Sequence, residues 1–257
     1  MEFVIKLIKK SALIFFILAL WEILPSLKII RPSLLPPFSD VLITWFQLIF
    51  LGEHELIPDI LISLQRALLG FGFALLIGIP LGLLIGYFKS FSDFFSPLVH
   101  ICRQIPALAL FPVFILFFGI EETSKVTIVF WVSVWDILLN TISGVRHTDL
   151  LLIKAARSMG ADTERILSSV VLPGAVPSLM TGLRLGSGSA IKALVAAEMI
   201  GAKAGLGFQV INSQYNFQIS KMYVSILTIA LIGIILNFIL EIIEKKLTFW
   251  KPTINEE

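Results

Sequence analysis

The chain has 257 residues, of which 57% are hydrophobic and 15% charged, and its mean hydropathy is +0.93. A soluble domain is usually about 45–50% apolar, so this composition indicates a protein of the lipid bilayer. The formal net charge of +2 gives no reason to expect nucleic acid as a partner, and the single cysteine excludes an internal disulfide and a cysteine-based metal site.

Six apolar segments along the chain are each long enough to form a transmembrane helix. A bilayer core of roughly 30 Å requires about 20 helical residues. The six segments are residues 11–30, 61–86, 94–118, 125–145, 179–200 and 222–243. The sequence therefore predicts an all-α polytopic membrane protein with six transmembrane helices, in one domain over residues 1–257.

The distribution of positive charges predicts which side each loop faces. If the N-terminus is cytoplasmic, eleven Lys and Arg residues lie in cytoplasmic regions and five on the opposite side. Because cytoplasmic loops are enriched in these residues, both termini are predicted to be cytoplasmic. On the outer side, residues 41–51 form an apolar run that is too short to span, so we expect an interfacial helix there with Ser39 or Asp40 as its N-cap.

Small residues recur at every fourth position of the second segment. Helix positions four apart lie on one face, and small side chains there allow another helix to approach closely. These residues are Gly70, Ala74, Gly78, Gly82 and Gly86, and a similar set in the fifth segment is Gly182, Gly186 and Ala190. The pattern predicts tightly packed helix pairs.

Residues 146–178 form a polar interruption between the fourth and fifth segments. Thr148 and Asp149 can cap a helix over about 150–159, and Gly160 can end that helix in a left-handed turn. The segment is therefore predicted to begin with a short helix that lies across the cytoplasmic face.

A second short helix is predicted after this turn. Asp162 or Thr163 can cap a helix over 164–171, and Pro173 is then expected to end it. The two short helices would expose side chains to a soluble partner while their ends are fixed to two membrane spans.

The spacing within this segment resembles the EAA loop of the permease subunits of bacterial ATP-binding cassette importers. That loop contains Glu-Ala-Ala, a glycine after three further residues, and a Leu-Pro pair near its end. The corresponding residues are Lys154, Ala155, Ala156, Gly160, Leu172 and Pro173.

Further stretches resemble one group of these permeases, those of nitrate, sulfonate, taurine, bicarbonate and thiamine-precursor importers. These stretches include LLPPFSDV (34–41), SLQRALLGF (63–71), GIPLGLLIG (78–86), FPVFILFFGIEETSKV (111–126), ILLNTISGVR (137–146) and VAAEMIGAKAGLGFQ (195–209). The resemblance extends over nearly the whole chain from about residue 20.

The resemblance implies the fold of a type I ABC importer permease, with its core at about 61–245 and a coupling loop at 146–178. The residues implied to contact the ATPase are Lys154, Ala155, Ala156, Arg157, Gly160, Ala161, Leu172 and Pro173. Lys154 stands where the family has glutamate, so a salt bridge from that acid to an ATPase cation cannot form here unless the partner residue has changed sign. The small residues are expected to preserve the docking shape.

The same resemblance implies the partners and the location of the chain. The partners are a second copy of this chain, two ATPase subunits and an extracytoplasmic substrate-binding protein, in the bacterial cytoplasmic membrane. The chain itself would be a transport subunit and not an enzyme, with no cofactor of its own, because ATP and Mg are held by the ATPase subunits. The expected substrate is a small anion or zwitterion of the kinds those importers carry.

Ionisable residues within the apolar segments each cost roughly 2.5–3.5 kcal/mol on insertion scales, so each is expected to have a partner or a water-filled cavity. Asp136 and Lys192 lie at matching depths, and we hypothesise that they pair with each other or line the translocation path. The full set of candidates is Arg103, Asp136, Asn140, Lys192 and Glu198. Arg66 and Glu22 are expected near the outer interface, with no specific role.

Two alternative functions come from other classes of protein. A stand-alone secondary transporter would show internal repeats, and the two halves of this sequence show no convincing duplication. An intramembrane hydrolase could use Ser187 as its nucleophile, but no histidine is placed within the bilayer to act as its general base.

Overall fold

The computed structural model describes residues 2–51 and 56–249. Every element in these two ranges is helical. The helices are α1 (Glu2–Ser26), α2 (Phe38–Phe46), α3 (Leu56–Tyr87), α4 (Lys89–Cys102), α5 (Ala107–Phe118), α6 (Glu122–Arg146), α7 (Leu150–Ser158), α8 (Thr163–Ile166), α9 (Leu172–Gly201), α10 (Leu206–Tyr215) and α11 (Ile219–Leu247). Two short π-helical segments, Gln47–Leu51 and Leu167–Val171, continue α2 and join α8 to α9. The all-α class is confirmed.

The helices form two compact units. The first unit comprises Met1–Ile62 and Lys203–Ile229, and the second comprises Ser63–Ala202 and Ala230–Glu257. The second unit contains the glycine-rich stripes and the polar loop, so it holds most of the predicted functional residues.

In the second unit, α6 packs along α3 in parallel and at very short range. Gly70, the first residue of the stripe, faces Val129, and Gly86, the last, faces Val145. A Cβ built on Gly70 or Gly86 would lie 2.6 or 2.7 Å from the Cβ of its valine, closer than side chains can approach. The stripe of small residues in α3 is therefore the surface that admits α6, as its spacing predicts.

The opposite side of α6 packs against α9 in an antiparallel arrangement. A Cβ on Gly182 would lie 2.7 Å from the Cβ of Asn140, and a Cβ on Gly144 would lie 2.9 Å from the Cβ of Ser178. Ala190, the last small residue of the predicted stripe in α9, is 2% exposed. Both predicted small-residue faces are confirmed, and α6 is the central helix of the unit.

Four helices of the described ranges are long and apolar enough to cross a membrane, or five if the bent pair α4 and α5 forms one crossing. The segment 94–118, predicted as one span, is divided between these two helices, which meet at 95°. Pro106 stands at the start of α5, where the ring prevents the helix from continuing. The crossing predicted at residues 11–30, the interfacial role of α2 and the orientation of the termini stay predictions.

Pro173 does not end a helix, so that prediction is wrong. Helix runs without interruption over Thr163–Gly201, and the π-helical turn Leu167–Val171 directly precedes the proline. A π-helical turn widens the helix and relaxes its hydrogen-bonding register, which accommodates a residue that lacks an N–H group. Residues 164–171 are therefore the first turns of the long helix and not a separate helix across the face.

In the first unit, Glu22 has a definite structural role, contrary to the prediction. Its carboxylate accepts hydrogen bonds from the backbone N–H of Ser39 at 2.9 Å and from the Ser39 hydroxyl at 2.8 Å. The indole Nε1 of Trp21 donates to the backbone oxygen of Pro36 at 3.0 Å. The start of α2 is thus held by a side chain of α1, and neither Ser39 nor Asp40 caps it from within.

Candidate functional site

The helix α7 begins and ends as the sequence predicts. The Asp149 carboxylate accepts a hydrogen bond from the backbone N–H of Leu151 at 2.8 Å, which satisfies a donor in the first turn. Gly160 follows the helix with φ +84°, the left-handed conformation that side chains disfavour. The next turn begins with Asp162, whose carboxylate accepts from the N–H of Arg165 at 2.8 Å. The caps by Asp149 and Asp162 and the glycine turn are confirmed, whereas the Thr148 hydroxyl donates to the backbone oxygen of Gly144 at 3.2 Å and caps nothing in α7.

One face of α7 is fixed to the membrane helices through a small apolar cluster. Ala156 is 7% exposed and packs with Val145 at the end of α6, Ile166 in α8, and Val171 and Ala175 on either side of the start of α9. An alanine at this position lets the α7 backbone lie directly on the ends of the two long helices. Movement of α7 would therefore displace the ends of both α6 and α9.

The predicted coupling residues divide into an exposed set and a supporting set. The exposed residues are Lys154, Ala155, Arg157 and Gly160. The supporting residues are Ala156, which is buried, and Ala161, Leu172 and Pro173, which are half-buried. The structure brings the exposed set onto one short helix and its terminal turn, a compact surface on which a partner could bind.

The candidate path residues do not form one cluster. Asp136 is half-buried and Lys192 is exposed, and among the residues described no ion pair joins them. The side-chain amide of Asn140 donates to the backbone oxygen of Asp136 at 2.8 Å and not to its carboxylate. Arg103 is exposed and lies at the bend between α4 and α5. The pairing of Asp136 with Lys192 is thus absent from the isolated chain, while their place in the path stays a prediction.

Glu198, the fifth candidate, lies instead in an ionic cluster that joins three helices and has Glu122 as its exposed member. Its carboxylate contacts Nη1 of Arg66 at 2.7 Å and accepts a hydrogen bond from the Ser63 hydroxyl at 2.8 Å. The same guanidinium reaches Glu122, at the start of α6, with 2.7 Å between Nη2 and Oε1. We call Arg66, Glu122 and Glu198 the ionic cluster.

The ionic cluster overturns the interpretation of Arg66 as an interfacial side chain. Its side chain is 5% exposed, and that of Glu198 is fully buried. The sequence does offer a sign of this pair, because Arg66 and Glu198 each lie within an apolar segment and each need a partner of opposite charge. Nearby, Lys125 is 2% exposed and donates to the backbone oxygens of Ile120 and Glu121 at 2.9 and 3.1 Å, which ties the start of α6 to the preceding turn.

A protein-family model, described as the binding-protein-dependent transport system inner membrane component, matches residues 78–249 of this chain. A putative ABC transporter permease protein of Methanocaldococcus jannaschii is 39% identical over 253 residues, covering 96% of this chain and 93% of that protein. A putative aliphatic sulfonates transport permease protein of Bacillus subtilis is 31% identical over 235 residues, covering 91% and 84%. Among solved structures, a chain of the MetNI methionine ABC transporter in an inward-facing conformation matches with a TM-score of 0.67 at 20% identity, over 75% of this chain and 95% of that one.

Proposed function

This chain belongs to the family of binding-protein-dependent transport system inner membrane components, and from that premise we propose that it forms the translocation path of an ABC importer, driven through α7 by separate ATPase subunits. The observation that carries the proposal is the arrangement of α7. Its exposed side chains can bind a partner while Ala156 fixes it to the ends of α6 and α9.

The long helix Thr163–Gly201 supports the mechanical part of this proposal. It is continuous over 39 residues, from the turn that follows α7 to a position beyond the ionic cluster. Because Gly144 and Gly182 bring α6 and α9 into close contact, the two helices can respond together when α7 moves. ATP and Mg act on the partner subunits, and this chain converts the resulting motion into opening of the path.

The assembly follows from the same proposal. We propose a pair of these chains around a central path, two ATPase subunits on the cytoplasmic side and a substrate-binding protein on the outer side, in the cytoplasmic membrane. The exposed Lys192 and half-buried Asp136 are the proposed path residues, where a second copy could complete their surroundings. The fold likeness and the relatives support a permease subunit, and they leave its pairing to experiment.

The proposed substrate is a small anion or zwitterion. The relative from Bacillus subtilis carries aliphatic sulfonates in its name, which favours that class. A cationic side chain exposed on a membrane-spanning helix, as Lys192 is, suits a substrate with a negatively charged group.

The coupling role of α7 can be tested with Ala155→Asp. The change places a negative charge on the exposed docking surface without touching the buried Ala156, so we expect normal insertion but loss of substrate-stimulated ATP hydrolysis and uptake in proteoliposomes with the cognate ATPase. Ser169→Asp is the matched control, because it adds the same charge to an exposed position in the turn before Pro173. Equal transport by wild type and Ala155→Asp would contradict the proposal, and uptake by the chain without any ATPase subunit would favour a secondary carrier.

A further inference from the structure

A basic cavity of 580 Å³ lies where α3, α6 and α7 meet in the second unit. Its lining includes four cationic side chains, Lys89, Arg146, Lys154 and Arg157, and no carboxylate of the described residues. The transport role assigned to α7 already uses Lys154 and Arg157, but it gives no reason for Lys89 and Arg146 beside them.

These four cations have no carboxylate partner among the residues that the structure describes. Within residues 2–51 and 56–249, none of them forms an ion pair. Two acids close in the chain, Asp149 and Asp162, accept hydrogen bonds from the first turns of their own helices. Four like charges around one cavity repel one another, so an anion held among them would be stabilised by all four.

The cavity lies at the boundary of the membrane-spanning part of the chain. Gly86 and Tyr87 lie in the last turn of α3, Val145 and Arg146 lie in the last turn of α6, and both helices are able to cross a bilayer. Tyr87 lines the cavity, and its hydroxyl lies 3.5 Å from Nη2 of Arg157. Tyrosine at the end of a membrane helix is typical of the headgroup level, where its ring contacts lipid and its hydroxyl contacts polar groups.

Apolar side chains border the same cavity. Phe88 and Leu150 line it, and Leu150 is 67% exposed. Leu151 and Leu152 continue this apolar surface with exposures of 71% and 57%. Cations beside exposed leucines match a ligand that has both a charged group and hydrocarbon chains.

We propose that this cavity binds the phosphate group of an anionic membrane lipid. Arg146 and Arg157 offer several N–H donors each to the phosphate oxygens, while Lys89 and Lys154 contribute compact charges. Basic pockets between membrane helices bind anionic headgroups in this way. Lys154 and Arg157 then belong both to the lipid site and to the surface that the proposed function assigns to the ATPase, on which this inference rests.

The test compares lipid binding by two double variants of the purified chain in detergent micelles. Native mass spectrometry would follow titrations with phosphatidylglycerol and with phosphatidylcholine of identical acyl chains. Lys89→Gln/Lys154→Gln removes two cavity charges, and neither side chain makes a hydrogen bond or ion pair in the described part of the chain, so the fold is not disturbed. Arg165→Gln/Lys246→Gln removes two exposed charges outside the cavity and is the control.

We expect the wild-type chain to prefer phosphatidylglycerol, the cavity variant to bind it about 30-fold more weakly, and the control variant to keep the wild-type affinity. Equal affinities in the two variants would overturn the proposal. Binding of inorganic phosphate that requires Lys89 and Lys154, without any headgroup preference, would assign the site to a soluble anion instead. Unchanged lipid binding together with loss of ATPase subunit co-purification from the cavity variant would assign the cavity to acidic side chains of that subunit.

Discussion

The two ends of α6 are held by opposite kinds of chemistry. Its first residue, Glu122, belongs to the ionic cluster, in which the buried Arg66 side chain pairs both with the buried Glu198 and with Glu122, which is itself 63% exposed. Its last turn, about 36 Å away, meets α7 through Val145 and Ala156, two apolar side chains without directional bonds. A guanidinium that bonds two carboxylates needs a fixed geometry, whereas apolar contacts are not directional. The difference indicates a fixed end and a movable end in one bundle.

The variant with the largest expected effect is Arg66→Ala, which tests whether the ionic cluster holds the fixed end of α6. Removal of the guanidinium leaves the fully buried Glu198 carboxylate without its cation, and breaking a buried pair in this way typically costs about 3–5 kcal/mol. We expect a loss of that size in the free energy of unfolding, measured by denaturant titration in detergent micelles.

The control for this variant is Arg184→Ala. Arg184 pairs with Glu244, but both side chains are partly exposed, at 36% and 25%, so the expected loss is about 1 kcal/mol or less. Similar losses for Arg66→Ala and Arg184→Ala would show that the ionic cluster is not the fixed end.

Glycine-to-alanine substitutions in the stripe of α3 allow the two ends of α6 to be compared. An added methyl group at Gly70 or Gly86 meets a valine of α6 at nearly the same distance, 2.6 and 2.7 Å. Overpacking of this kind costs about 1–3 kcal/mol. Because Gly70 is on the side of the ionic cluster and Gly86 on the side of α7, we expect Gly70→Ala to destabilise more than Gly86→Ala in thermal unfolding.

Gly72→Ala is the matched control, since no atom lies within 4 Å of its added Cβ. It should be neutral or stabilise α3 by up to about 1 kcal/mol through helix propensity. Equal destabilisation by Gly70→Ala and Gly86→Ala would argue that the α7 end is as rigid as the other.

The smallest effect is expected at Gly160. Its φ of +84° disfavours any side chain, although no atom lies within 4 Å of an added Cβ, so Gly160→Ala should cost only about 1–2 kcal/mol and through backbone conformation alone. Limited proteolysis between α7 and α8 would report the loosened turn. Gly160→Asn should be cut more slowly than Gly160→Ala, because asparagine tolerates this conformation better. The reverse order would contradict a conformational cause.

The parts of the fold that the sequence predicts are those set by local rules. The four-residue spacing of Gly70 to Gly86 predicted the close packing with α6, and the Asp149 cap and the Gly160 turn follow from neighbouring residues alone. Pro173 shows where a local rule fails, because a π-helical turn before it accommodates the ring.

The ionic cluster could not be predicted in detail because its pairs are distant in sequence. Arg66 is 56 residues from Glu122 and 132 from Glu198, and only the packing of α3, α6 and α9 brings them together. The sequence shows that each buried charge needs a partner, but it does not say which one. Likewise, Asp136 and Lys192 were predicted to lie at matching depths, but the register that sets Gly182 against Asn140 puts Asp136 about level with Gly186, six residues from Lys192.

The helix from Thr163 to Gly201 is attached most firmly at Glu198, close to its C-terminal end. About 35 residues separate that attachment from Thr163, a length of roughly 52 Å. If this helix and the elements packed on its other end tilt together about Glu198, displacement grows steadily towards Thr163. An angular change of about 5° would shift Thr163 by roughly 5 Å, the height of one helical turn, while the anchored tip stays almost still. Small rotations of this helix in the bilayer therefore correspond to distance changes at Thr163 that are large enough to measure.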